Sequence, residues 1–123
     1  MPPVKLLIID DEEDYASALV ERLNLRKFDA AAVYSSKDAP AAIESHRPDV
    51  ILLDLFMPGM DAKDMIMTLK DAVPDVEIII VSGHADPAQD VIKSAFDYII
   101  KPIEIKDLIE KVNKALAKKK GAA

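Results

Sequence analysis

The sequence has no cysteine, which excludes a disulfide framework and a thiolate zinc site and suits a reducing compartment. Any metal would have to be held by oxygen or histidine ligands. It also lacks a long apolar run. Although 50% of its residues are hydrophobic, stretches such as Leu6 to Ile9 and Ile78 to Val81 fall far short of the roughly 20 residues needed to cross a bilayer. The N-terminus, Met1-Pro2-Pro3-Val4-Lys5, offers no basic region followed by an apolar stretch of the kind a secretory signal needs, so a cytoplasmic location without membrane contact is expected. An excess of positive charge is missing as well. The net charge of -6 argues against contact between this domain itself and nucleic acid, which would call for a phosphate-neutralising basic face.

What is present is an alternation. Strand-like aliphatic runs are predicted at Lys5–Ile9, Ala30–Tyr34, Val50–Leu53, Glu77–Val81 and Tyr98–Ile100. Helix-like stretches are predicted at Asp14–Arg26, Asp38–Ser45, Asp61–Ala72, Ala88–Ala95 and Ile105–Ala117. Five βα repeats with strands apolar on both sides imply an α/β domain, a doubly wound, five-stranded parallel sheet with helices on both faces. The last helix is the clearest, because Ile105, Leu108, Ile109, Val112 and Leu116 recur on one face. Ser36 and Pro87 stand where a cap and a first-turn proline belong. With 123 residues, one domain over residues 1–117 is expected. Residues 118–123, without core-facing side chains, would form a flexible tail or linker stub.

The chemistry-bearing residues gather at strand ends. Ile9 is followed by the acids Asp10-Asp11-Glu12-Glu13-Asp14, and Leu53 by Asp54. In an open parallel sheet the ligand crevice lies outside the carboxyl ends of the strands. Carboxylates converging there need a cation, and Mg2+, a hard ion that takes oxygen ligands, suits them. Glu12, Glu13 and Asp14 are read as helix-terminus acids; Asp10, Asp11 and Asp54 are read as the site. Two more strands end in Ser82, a hydroxyl donor, and Lys101, a compact positive charge, the groups an incoming phosphoryl would need besides the metal. Singly, a serine after a strand is a turn former and a lysine a solvated side chain. Their joint placement points to phosphoryl chemistry.

With these residues in this order, the chain from Val4 to Leu116 resembles the receiver domain of two-component response regulators, a flavodoxin-like fold. Asp10-Asp11 resembles the family's acidic pair, Asp54 with Met57-Pro58-Gly59-Met60-Asp61 its phosphoacceptor and following loop, and Lys101-Pro102 its Lys-Pro signature. Ser82-Gly83-His84-Ala85-Asp86 and Ala95-Phe96-Asp97-Tyr98 are similar to receivers joined to sigma-54-dependent activators. The resemblance implies phosphorylation of Asp54 by a sensor histidine kinase, a phosphotransfer protein or a small phosphodonor. Asp54, Ser82 and Lys101 would act on the phosphoryl group. Mg2+ would be bound directly by Asp11, Asp54 and the backbone carbonyl of Phe56, and through water by Asp10. Ser82 and Tyr98 would form the switch, turning a downstream output domain or protein on or off. The domain would assist its own phosphorylation and dephosphorylation without being an enzyme of other substrates.

Three departures stand out. Ala62 and Ile103 replace the family's usual glycine and phenylalanine. The interval from Ser82 to Lys101 is about one turn short, ~3.6 residues, so the fourth helix is expected to be shortened and homodimerisation through the output face to be weak. Two other readings share these residues. A haloacid-dehalogenase-type phosphatase would need an acid/base carboxylate two residues after its nucleophile, where this chain has Phe56, which transfers no proton. A receiver-like binding module that takes no phosphate would be expected to lack an acid or the lysine, and neither is missing.

Overall fold

Alternate residues of each strand face opposite sides of a sheet, and here both sides are covered. The computed structural model describes residues 3–83, 91 and 93–121, with side chains through Lys119. Its strands are β1 (Lys5–Ile9), β2 (Asp29–Val33), β3 (Val50–Asp54), β4 (Glu77–Ser82) and β5 (Asp97–Ile100). The α-helices with described bounds are α1 (Glu13–Leu25), α2 (Ala39–His46), α3 (Ala62–Ala72) and α4 (Ile105–Gly121). All strand pairs are parallel, in the order β2-β1-β3-β4-β5. This is the doubly wound α/β sheet that the alternation predicts.

Leu6 and Ile8 of β1, Val50 and Leu52 of β3, and Ile79 and Val81 of β4 pack on one side with Ala16, Leu19 and Leu23 of α1 and Leu108, Val112 and Ala115 of α4. Their neighbours Leu7, Ile9, Ile51, Leu53, Ile78 and Ile80 pack on the other side with Ile43 of α2 and Ile66 and Leu69 of α3. Each such Leu or Ile is almost wholly buried and contributes about 1.5–3 kcal/mol relative to an exposed one. The order reverses at β1 and β3, the two strands that carry the acids. That is the switch point at which a doubly wound sheet leaves its crevice open.

The differences from the predicted bounds have local causes. β3 reaches Asp54 because that residue still pairs with Val81, and β4 reaches Ser82 because it pairs with Ile100. Ser36 does not cap α2; it opens a 3-10 turn, Ser36–Asp38, and the hydroxyl of its neighbour Ser35 donates to Asp38 at 3.0 Å. His46, the last residue of α2, ties the edge of the sheet: its Nε2 lies 3.1 Å from the Leu6 carbonyl and 3.0 Å from that of Asp29. α4 runs past Ala117 to Gly121. There the Lys118 ammonium sits 3.5 Å from the buried Glu77 carboxylate and over the Phe96 ring, and Lys119 reaches the Asp49 carbonyl at 3.3 Å. The predicted short helix over Ala88–Ala95, with Pro87 at its start, lies mostly outside the described residues; Val91 and Ala95 pack on the second core layer.

Candidate functional site

Four strands deliver side chains to one end of the sheet. Asp10 follows β1, is 4% exposed and is fixed by its own backbone: its N–H donates to the Val33 carbonyl at 3.1 Å, and its Oδ1 accepts the Glu12 N–H at 2.9 Å. Asp54 closes β3, is 5% exposed, and its Oδ1 accepts the Phe56 N–H at 3.2 Å. Ser82 closes β4 and is fully buried. Lys101 follows β5, and its N–H donates to the Ser82 carbonyl at 2.7 Å, so the last two strand ends are joined.

The Lys101 ammonium crosses the mouth of the crevice. Its Nζ lies 3.0 Å from Asp10 Oδ2, 2.5 Å from Glu12 Oε1 and 3.7 Å from Asp54 Oδ2. Burial alone would push this ammonium's pKa down. Hydrogen bonds to Glu12 and Asp10, with the charges of Asp10 and Asp54, outweigh that and hold it above its ordinary range. Burial pushes the Asp54 carboxyl up. The Phe56 N–H and Lys101 pull the other way and Asp10 adds to the rise, leaving the pKa above the ordinary 3.8. A carboxylate so placed gains from any cation that approaches it.

Asp10, Glu12 and Asp54 bring one carboxylate oxygen each to within 4.8 Å of one another. Asp11 is not gathered with them: it is exposed and lines a neighbouring cavity of about 380 Å³ with Tyr34, Ser36, Lys37 and Met57. The third carboxylate of that group, among the described residues, is Glu12, which the sequence pattern marks only as a helix-start acid. Glu12 is indeed the residue before α1, but its side chain makes no cap hydrogen bond and turns to Lys101 instead. The signal that could have found it is the unbroken acid run from Asp10 to Asp14. Phe56 is 58% exposed beside Asp54. Tyr98, half-buried on β5, packs on the core layer shared with α2 and α3.

The sequence profile of the response regulator receiver domain matches residues 6–113. The chain belongs to this family. As the receiver domain of a two-component response regulator, it is similar to the DNA-binding response regulator MtrA of Mycobacterium tuberculosis strain H37Rv, with 33% identity over 115 residues, 91% of this chain and 50% of that protein. The receiver domain thus spans about half the length of the curated relatives it matches. A response regulator receiver domain protein from Clostridium thermocellum superposes with a TM-score of 0.85 at 27% identity, covering 98% of this chain and 99% of that one. TrrA of Thermotoga maritima, solved in complex with Mg2+ and BeF, shares the fold at a TM-score of 0.81 and 24% identity, over 91% and 98% of the two chains. Among the described residues of the receiver domain, no helix is long and apolar enough to cross a membrane.

Proposed function

We propose that Asp54 is the phosphoacceptor. A carboxylate oxygen of Asp54 attacks the phosphorus of a phosphohistidine on a sensor histidine kinase or phosphotransfer protein. The O–P bond forms, the P–N bond breaks, and the imidazole nitrogen keeps the bonding pair, leaving as neutral imidazole because the other ring nitrogen carries the proton. A small acyl phosphate serves as donor in the same way, with a carboxylate as leaving group. The observation that carries this reading is the buried Asp54 at the end of a central strand, 3.7 Å from the Lys101 ammonium.

Each side chain then has a task. The Phe56 N–H holds one Asp54 oxygen and leaves the other for attack. Lys101 offsets charge on the transferring group, where most phosphoryl-transfer catalysis resides. Ser82, at the neighbouring strand end, donates its hydroxyl to a phosphoryl oxygen, and Tyr98 shifts as Ser82 is drawn in. An all-oxygen donor set gathered within 4.8 Å fits Mg2+. Asp10, Glu12 and Asp54 would hold it, with Asp11 and the Phe56 carbonyl, named by the family resemblance, completing the set. When bound, Mg2+ supplies positive charge to the oxygens of the phosphoryl group.

On this reading the domain promotes its own phosphorylation and dephosphorylation. It works in the cytoplasm, and it signals to an output domain or protein rather than touching nucleic acid itself. Residues 1–117 form the functional unit, and any homodimer is weak. Incubation with acetyl phosphate and Mg2+, read by intact mass, tests the assignment. One phosphoryl group is expected on the wild type and none on Asp54→Ala; full modification of that variant would overturn it.

A further inference from the structure

Lys101 is delivered by a flexible four-carbon stem that does not fix its own direction, so something else must aim it. The start of α1 and the residue before it do so twice. Glu12 meets the ammonium directly, and Tyr15, three residues on, does two things at once. Its ring lies with the centroid 4.9 Å from Lys101 Nζ, within the range of a cation–π contact. Its phenol oxygen accepts the Ile103 N–H at 2.9 Å, pinning to α1 the backbone that leaves the lysine.

We infer that Tyr15 is a positioning residue for Lys101, holding the ammonium at the mouth of the crevice before and after the phosphoryl group arrives. This rests on the reading that Lys101 meets that group. The chemistry separates Tyr15 from Glu12. Glu12, with its side chain 62% exposed, is an anion that competes with phosphoryl oxygens for the same ammonium and must give it up. An aromatic face is neutral: it attracts the cation without a charge that the phosphoryl would have to displace. Tyr15 therefore keeps Nζ near Asp54 while the carboxylate contacts are exchanged. The hydrogen bond to Ile103 prevents the segment after Lys101 from carrying the side chain away.

The test uses beryllofluoride with Mg2+ as the probe, on the wild type, Tyr15→Leu and Tyr15→Phe, each also combined with Lys101→Met. Loss of the ring contact should weaken beryllofluoride binding about fivefold in Tyr15→Leu, with affinity for Mg2+ alone changed by less than about twofold and most of the loss recovered in Tyr15→Phe. With Lys101→Met already present, Tyr15→Leu should have no further effect, since contacting residues are not additive. Urea midpoints confirm that the variants are folded under the binding conditions. An undiminished beryllofluoride affinity in Tyr15→Leu overturns the inference. So does an equal loss in the Lys101→Met background, or a parallel loss of Mg2+ affinity. If instead Lys101→Met alone leaves beryllofluoride binding intact, the role proposed for Lys101 is what fails, and that of Tyr15 with it.

Discussion

Replacing Lys101 by methionine keeps most of the apolar stem and removes the ammonium, leaving Asp10 and Asp54 facing each other without a counter-charge. The size of the effect follows from the geometry. With Nζ at 3.0 Å from Asp10 and 3.7 Å from Asp54, each attraction is roughly 5 kcal/mol at an effective dielectric of about 20. Most of this is cancelled by the cost of taking three charged groups out of water. Breaking a buried pair by removing one partner costs about 3–5 kcal/mol in general. The lower end applies here, because the Lys101 side chain keeps 15% of its exposure and Glu12 can return to solvent. The expected loss is about 3 kcal/mol in EDTA, a urea midpoint lower by about 1–2 M for a domain of this size. Mg2+ should restore more stability to Lys101→Met than it adds to the wild type, since the variant offers the ion carboxylates with no competing ammonium. Urea unfolding followed by far-UV circular dichroism, with EDTA and with Mg2+, reads both effects. A variant as stable as the wild type in EDTA would refute the view that Lys101 neutralises this pocket.

Asp54→Asn should act in the opposite direction without divalent ions. Because burial and Asp10 raise the Asp54 pKa above 3.8, its protonated form suits the fold, and the wild type loses stability as pH rises through the folded-state value. The variant should therefore gain on the wild type from pH 3.8 upward in EDTA-chelated urea melts; an Asn variant less stable at neutral pH would contradict this. Phe56→Asn replaces an exposed ring beside Asp54 with a side chain able to orient water, so its phosphorylated form should decay faster than that of the wild type in a chase after acetyl phosphate; slower decay would remove Phe56 from the control of hydrolysis. Truncation after Ala117 leaves the buried Glu77 with Lys70 at 3.8 Å as its remaining ion-pair partner among the described residues and should cost about 1 kcal/mol by thermal melting. An unchanged melting temperature would mean that Lys118 and Lys119 contribute nothing.

Local pattern determined a good deal by itself. Unbroken aliphatic runs such as Val50–Leu53 mark strands buried on both faces, the spacing of Leu108, Val112 and Leu116 marks a helix seated on the sheet, and an acid directly after such a run stands at the strand's carboxyl end. These are short-range properties of a chain with fixed periods of about 2 and 3.6 residues, so the sheet, the helices α1 to α4 and the placing of Asp10, Asp54, Ser82 and Lys101 at one rim were legible. The strand order was not, because any aliphatic strand pairs acceptably with another, and only packing of the helices on both faces brings β1 beside β3. Nor was the contact of Glu12 with Lys101, which depends on the turn from β1 into α1. Tyr15 meets Ile103 from 88 residues away and Lys101 beside it, and Lys118 meets Glu77 from the far end of α4. Such pairings leave no local signature, because they exist only once the elements that carry them have been brought together.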